Sequence, residues 1–534
     1  MKKGKTSLLH RVLRDQRGQV LPWVAFMMVL FLGMSALVLD VGHAFFCSRE
    51  LQAAVDSAAL AGALNLKASS PSAIVAQYGA ESGGFNSRAN LSINGANSVT
   101  MVAGYPKYAC LGAPTTQAAC QGPYSANAIQ VKEQAIVPTF FAKIFGINQM
   151  TITATSTSAI VGSKNQTTNI AVVIDTTASM NSVDSNCTSS GGSATRIQCA
   201  EQGVATLLQT LSPCNTVLGC GSVSSGVAQY PLDQVAIFTF PNVTQGTANK
   251  DYNCSGSNPT IPVYSFPTIG AATYAGGYSS GSSSATYQIT PFLSDYKSQD
   301  AGLSLATSSN VVLTTGSGKS SSGSSCSGMQ APGGDGTYYA GAIYAAQAAL
   351  TQQAAAETAA SPGLKLTNML IILSDGDANA STSKMASKTV GGTTVNYNNP
   401  WPAGGTLANS TNYPSALDQC QQAVAAANYA KQQGTLIYAI GYGSPTSGCG
   451  TDSSGPQAGI TPCQVMSEMA SSNVYNSAGT LTKTYFFSDY HQSGSGSTCV
   501  SSGASVTDIN GIFQTIGSDL LTVRLLPESV WPTS

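Results

Sequence analysis

Residues 169–180 read Asn-Ile-Ala-Val-Val-Ile-Asp-Thr-Thr-Ala-Ser-Met. An apolar run ends abruptly in one carboxylate, Asp175, followed by hydroxyls at alternate positions, Thr177 and Ser179. A strand apolar on both of its faces has no face to give to water, so such a run reads as a buried strand of a parallel sheet. Open α/β sheets bind ligands just beyond the carboxyl ends of their strands. Asp175, Thr177 and Ser179 would there crowd several oxygens carrying little negative charge, a set that suits Mg²⁺. The competing reading is that the two hydroxyls cap the next helix.

Two distant segments share this character. Leu370-Ile371-Ile372-Leu373-Ser374-Asp375-Gly376 is a second apolar strand that ends in a carboxylate. Gly334-Asp335-Gly336-Thr337 runs into the Ala-rich stretch from Tyr338 to Leu350, a good helix former, which places the Thr337 hydroxyl at a loop-to-helix junction. Together the three segments resemble the metal-ion-dependent adhesion site of von Willebrand factor A domains. In that family the first motif usually reads Asp-x-Ser-x-Ser; here Thr177 takes the middle place and keeps its oxygen. The resemblance implies that Asp175, Thr177, Ser179, Thr337 and Asp375 hold Mg²⁺ (or Mn²⁺ or Ca²⁺), directly or through water. It further implies that a partner protein completes the ion with an Asp or Glu carboxylate.

The pattern from about residue 164 onward alternates strands with helical segments. Arg196 to Leu211 reads as a helix with a stripe of Ile197, Ala200, Val204, Leu207 and Leu208. Val235 to Phe240 and Leu366 to Leu373 read as strands, Ala416 to Gln433 as a helix, Thr435 to Gly441 as a strand, and Ile509 to Leu521 as a closing helix. Such alternation predicts an α/β unit over 164–534, a doubly wound, mostly parallel sheet of the von Willebrand A type. Residues 241–333 interrupt it with Ser, Gly, Thr and Tyr, and read as an insertion near the metal edge. Two roles stand open for it: a surface that shapes partner choice, or a stapled loop involving Cys254 and Cys326.

The N-terminus sets the topology. Lys2, Lys3, Lys5, Arg11, Arg14 and Arg17 precede an uncharged stretch from Val20 to Leu39, long enough as a helix to cross a hydrocarbon core. The basic flank predicts that residues 1–19 are cytoplasmic and that the chain beyond Asp40 lies outside. A cleaved signal peptide is the alternative, but the apolar stretch is long and no small-residue cleavage site follows. Thirteen cysteines fit an exported chain, with disulfides as the default. Close pairs are Cys110 with Cys120, Cys214 with Cys220, and Cys449 with Cys463.

Beyond the apolar stretch, Leu51, Ala54, Val55, Ala58, Ala59 and Gly62 share one helical face, so the membrane helix is expected to continue outward. The stretch from Arg17-Gly18-Gln19-Val20 through this Ala-rich helix resembles the N-terminal region of TadG-like and TadE-like components of bacterial Flp (tight adherence) pilus assembly. The resemblance implies a single-pass protein of the bacterial inner membrane that works with pilus-assembly components. Prepilin-like processing after Gly18 is not expected, because Trp23 stands where such substrates carry Glu. Residues 40–163 form an α+β, pilin-like unit by pattern, since Ala128–Lys132 and Met150–Ala154 alternate polar with apolar. Between them Phe140, Phe141, Ile144 and Phe145 are expected to pack the helix onto the sheet.

With 23 Lys and Arg against 24 Asp and Glu, no long-range attraction to nucleic acid is indicated. Enzyme chemistry has little to stand on. The three histidines are scattered, Asp335 and Asp377 are bases by proximity only, and Gly318-Lys319-Ser320 lacks the first glycine of a phosphate loop. The sequence therefore predicts a membrane-anchored pilus-assembly or adhesion protein that binds through a metal ion. A scaffold whose A domain only packs is the alternative, with a metal-dependent hydrolase behind both.

Overall fold

The computed structural model describes residues 20–66, 70–87, 99–111, 126–160, 166–189, 192–214, 219–240, 287–319, 323, 325–331, 336–380, 389–390, 393–394, 417–443, 448–453, 457–489, 499, 508–520, 523–526 and 531. Two units divide the chain: 1–109 with 126–159 and 523–534, and 110–125 with 160–522.

The first unit is built on helix α1, Val20–Leu64. The apolar stretch and its Ala-rich continuation form one unbroken helix, as the helical spacing from Leu51 to Gly62 predicts. Up to Phe46 most of its large apolar side chains are exposed, whereas Cys47, Leu51, Ala54, Val55, Ala58 and Ala59 are buried. Small residues there let the helix lie close to its neighbours. A Cβ on Gly62 would stand 2.6 Å from Val75, on helix α2 (Pro71–Tyr78), and 2.9 Å from Ile129. Strands β1 (Val99–Met101), β2 (Lys107–Ala109), β3 (Ala128–Pro138) and β4 (Gln149–Ile160) make an antiparallel sheet, with β1, β2 and β4 all paired to β3.

The second unit is organised by β5 (Gln166–Asp175), β6 (Asp233–Phe240), β7 (Lys365–Ser374), β8 (Leu436–Tyr442) and β9 (Phe486–Asp489). Their order across the sheet is β6-β5-β7-β8-β9 and every pairing is parallel. All of β6 and residues 170–175 of β5 are buried, so both faces of the sheet are covered. Helix α3 (Arg196–Thr210) packs on the last helix of the unit, Ile509–Asp519, while α4 (Tyr339–Ala360) packs on α5 (Gln419–Gln432) and α5 on α6 (Pro462–Met469). We number that last helix α7. The strand Val523–Leu526 leaves this unit and joins the first sheet beside β4, although the alternation of elements places it in 164–534.

Two further expectations change. Phe140, Phe141, Ile144 and Phe145 do not pack helix onto sheet: all four are exposed, Phe145 by 82%. The sheet is covered instead by the small-residue face of α1 between Leu51 and Gly62, which can approach more closely than a face of aromatic rings. Cys449 and Cys463 do not pair with each other; Cys449 bonds Cys420 at the start of α5, and Cys463 bonds Cys499. Parallel crossovers bring distant cysteines closer than sequence neighbours. The expected Cys214–Cys220 bond is present, along with Cys187–Cys199. Cys120 and Cys254 lie outside the described residues. Within the insertion, Leu293 exchanges both backbone hydrogen bonds with Val235, and Tyr287, Ile289, Phe292 and Tyr296 are buried. This part of it covers the outer edge of β6, where unpaired backbone would otherwise face water.

Candidate functional site

The order of the sheet reverses between β5 and β7: the next strand of this sheet along the chain, β6, lies on one side of β5, and β7 to β9 lie on the other. The crevice beyond the carboxyl ends of two such strands is where wound parallel sheets bind ligands. Asp175 is the last residue of β5 and Asp375 directly follows β7.

Local chemistry fixes the first loop. Asp175 Oδ1 accepts from the Thr177 N–H at 2.9 Å and from the Thr177 hydroxyl at 2.6 Å, an Asx-type turn that stops the strand. Thr176 points the other way and donates to the Phe240 carbonyl at 3.0 Å, which ties the loop to β6. A one-turn 3₁₀ helix, Ala178–Asn181, then presents Ser179 at the exposed side.

Across the crevice the two strands are cross-linked. Ser374 Oγ donates to Asp175 Oδ2 at 2.6 Å. Thr177 Oγ1 and Ser179 Oγ lie 3.1 Å apart, and Ser179 Oγ donates to Asp375 Oδ1 at 2.6 Å. Asp375 Oδ2 takes Arg196 Nη1 at 2.6 Å, and the same guanidinium stands 5.9 Å above the Tyr442 ring. Tyr339 donates to the Gly376 carbonyl and lies 3.4 Å from Ser374 Oγ. The result is one polar chain, Ser374–Asp175–Thr177–Ser179–Asp375–Arg196, at the end of an apolar sheet.

Both carboxylates are buried, and burial is the main reason that Asp175 is pushed up to about 7, with the nearby charge of Asp375 adding to it and its bonds to Ser374 and Thr177 opposing. With both carboxyls ionised, two carboxylates against one guanidinium leave the site with one surplus negative charge. The donor set is all oxygen. Cis ligands of an octahedral ion at about 2.1 Å stand about 3 Å apart, close to the Thr177–Ser179 separation. The residues therefore fit a small hard dication, with Arg196 as a resident competitor for Asp375.

Of the five residues singled out from sequence, Asp175, Thr177, Ser179 and Asp375 come together in this chain. Thr337 is buried at the same rim, since its carbonyl accepts from Asn379 and Ala380 in the loop after Asp375. Among the described contacts its hydroxyl makes no bond to either carboxylate. Sequence reasoning missed Ser374, Tyr339 and Arg196. Arg196 alone carried a signal: a cation in the first turn of a helix opposes the helix dipole and invites another explanation. Asp377 is engaged elsewhere, accepting from the Gly450 N–H at 2.8 Å. It lies beside Cys420 and Cys449, but those sulfurs are joined to each other and offer no thiolate. Asp335 lies outside the described residues.

Two family models match this chain: Flp pilus-assembly TadE/G-like over residues 18–65 and Tad-like Flp pilus-assembly over 50–158. The N-terminal region is thus similar to Flp pilus-assembly proteins, and its apolar helix fits a membrane-anchored chain. No curated protein matches. Among solved structures, the pilus adhesin SpaC of Lactobacillus rhamnosus GG aligns with 74% of this chain at 13% identity and a TM-score of 0.32. The chain spans 33% of SpaC's length. The adhesive tip pilin GBS104 of Group B Streptococcus agalactiae aligns with 75% of this chain and 67% of its own, at 11% identity and 0.30. BatB of Bacteroides thetaiotaomicron aligns with 66% of this chain and 97% of its own, at 11% identity and 0.25. Likenesses this distant carry no argument here.

Proposed function

We propose that this is a membrane-anchored protein of pilus assembly or adhesion whose second unit, a von Willebrand A-type domain, grips a partner protein through a dication. Asp175, Thr177, Ser179 and Asp375, with Thr337 at the rim, hold Mg²⁺ or Mn²⁺, and an Asp or Glu of the partner takes the open position. The observation that carries this reading is the 2.6 Å bond between Ser179 and Asp375, which joins oxygens 196 residues apart at the sheet's switch point. The ion supplies a directed charge-to-charge bond. The protein's own residues would orient it: Ser374 and Thr177 fix Asp175, while Arg196 holds Asp375 in place. Residues 1–19 face the cytoplasm and the chain beyond Asp40 lies outside, by the basic flank of the helix.

Calorimetry on the full chain in detergent tests the site. Wild type is expected to bind Mn²⁺ with a stoichiometry near one, and Asp175→Ala is expected to lose that binding. Equal binding by both removes the site.

A second reading has its own observation. Every carboxylate oxygen in the chain of bonds already has a partner, as in a polar network that only joins two strands. In that case the unit is a scaffold for pilus assembly. Asp175→Asn would then leave piliation normal, while deletion of residues 20–65 would abolish it.

A further inference from the structure

The connection between β3 and β4, residues 139–148, carries five large apolar side chains to the surface. Ile144 is 77% exposed, Phe145 82%, Ile147 52%, Phe140 50% and Phe141 39%, and Lys143 is the only charge among them. Leaving so much apolar surface in water is unfavourable by about 25 cal/mol per Å², and a contiguous patch of this kind marks an interaction site.

Its position says what covers it. The Asp40 carboxylate accepts from the backbone N–H of Phe140 at 2.6 Å, of Phe141 at 3.0 Å and of Ala142 at 2.6 Å. The Phe140 ring also lies 4.9 Å from the ring of His43. Asp40 directly follows Val20–Leu39, a stretch that as a helix is about 30 Å long and matches the hydrocarbon core. The loop is therefore pinned to α1 at the level where that helix leaves the bilayer. At the same level of the helix Leu37, Val38, Leu39 and Val41 are exposed as well. An Asp there needs polar partners, and the loop's three amides provide them close to hydrocarbon.

We propose that residues 140–147 enter the interface of the bilayer that α1 crosses, giving the first unit a second hold on lipid. Phe140, Phe141, Ile144, Phe145 and Ile147 lie among the upper acyl carbons and Lys143 reaches anionic headgroups. With two attachments, the sheet above the membrane has a fixed tilt instead of swinging on one helix.

The test places a reporter, Phe145→Trp with Trp23→Phe, in the full chain reconstituted in phosphatidylethanolamine–phosphatidylglycerol vesicles. The added fluorescence is expected to be quenched at least twofold by lipids brominated near the headgroup end of the chains, and to resist aqueous acrylamide. Reporter fluorescence open to acrylamide and blind to brominated lipid overturns the proposal. So does protection that disappears when lipid is raised at constant protein, which would make the patch a contact between copies. Asp40→Asn keeps the shape but weakens the pin, and is expected to reduce lipid quenching of the reporter; unchanged quenching overturns the pinning. The proposal rests on α1 lying in the bilayer, and the fluorescence that wild type loses on Trp23→Phe reports that separately, since Trp401 and Trp531 are common to both. Quenching of Trp23 without quenching of the reporter defeats the loop alone, whereas an unquenched Trp23 defeats the anchor and the loop together.

Discussion

Asp175→Asn separates the metal reading from the scaffold reading most cleanly, because the structure makes the substitution nearly silent without metal. Asp175 accepts three hydrogen bonds, two at Oδ1 and one at Oδ2. The amide oxygen of Asn keeps both bonds from Thr177. Its NH₂ faces Ser374, whose hydroxyl can turn to accept. Ala would instead strand buried donors at about 1–3 kcal/mol each. In chelator, then, Asn is expected to leave the melting transition of the second unit within about 1 kcal/mol of wild type. Metal reveals the difference. At a hundred times its dissociation constant a ligand stabilises the folded state by about 2.7 kcal/mol. A variant whose affinity has fallen a hundredfold gains only about 0.4 kcal/mol at the same concentration. Melting entropy grows with chain length, so in a unit of about 380 residues one kcal/mol moves the melting point by only about 1 °C; wild type should rise by about 3 °C and the variant by about half a degree. The assay is a thermal melt of the full chain in detergent, with and without millimolar Mg²⁺ after chelation. An equal rise in both proteins, or none in either, refutes the metal site.

Arg196→Met should move stability and affinity in opposite directions. Removing the guanidinium strands the buried Asp375 and costs about 3–5 kcal/mol in chelator, while Mg²⁺ loses a competitor and should bind more tightly by calorimetry. In the first unit, burial is the main force pushing Glu133 up to about 7, although the Ala80 N–H bonded to it pulls the other way. The folded unit thus holds a proton that the unfolded chain releases near 4.5, so stability should fall as pH rises from about 4.5 to 7, by up to about 3 kcal/mol. Denaturant melts of Glu133→Gln should lose that slope; a slope that persists would exonerate Glu133. Gly203→Ala would place a methyl 2.3 Å from the Phe513 ring where α3 crosses α7. A loss of about 1–3 kcal/mol is expected, and a neutral result in a urea titration would mean the two helices are free to separate.

Legibility followed the range of the forces involved. The strands that end at Asp175 and Asp375 were readable because a two-sided apolar run has only one comfortable place, the middle of a covered sheet. Helix α3 was readable from its stripe, and α5 and α7 from the alternation of elements, within a few residues at each end. Strand β9 was not: Phe486–Asp489 is four residues long and acquires its meaning only from pairing with β8. Helix α6 escaped for a similar reason, being eight residues that open with Pro462. Ser374 was hidden in plain view. Its neighbour Asp375 drew the attention, yet alternation in the strand turns the Ser374 hydroxyl onto Asp175.

Sequence by itself determined that this chain has a helix fit for a membrane, a small sheet unit after it and a wound parallel sheet beyond. Hydrophobic periodicity is a local property, and each element carries its own. Only the tertiary structure decided which groups meet: that Cys449 finds Cys420, that Val523–Leu526 returns to the first sheet, and that Arg196 sits on Asp375. It also turned Phe140, Phe141, Ile144 and Phe145 outward, since Asp40, some hundred residues earlier, captures the backbone that carries them. Hydrogen bonds and ion pairs reach only about 3 Å, and no pattern along the chain encodes which distant partners will arrive within that reach.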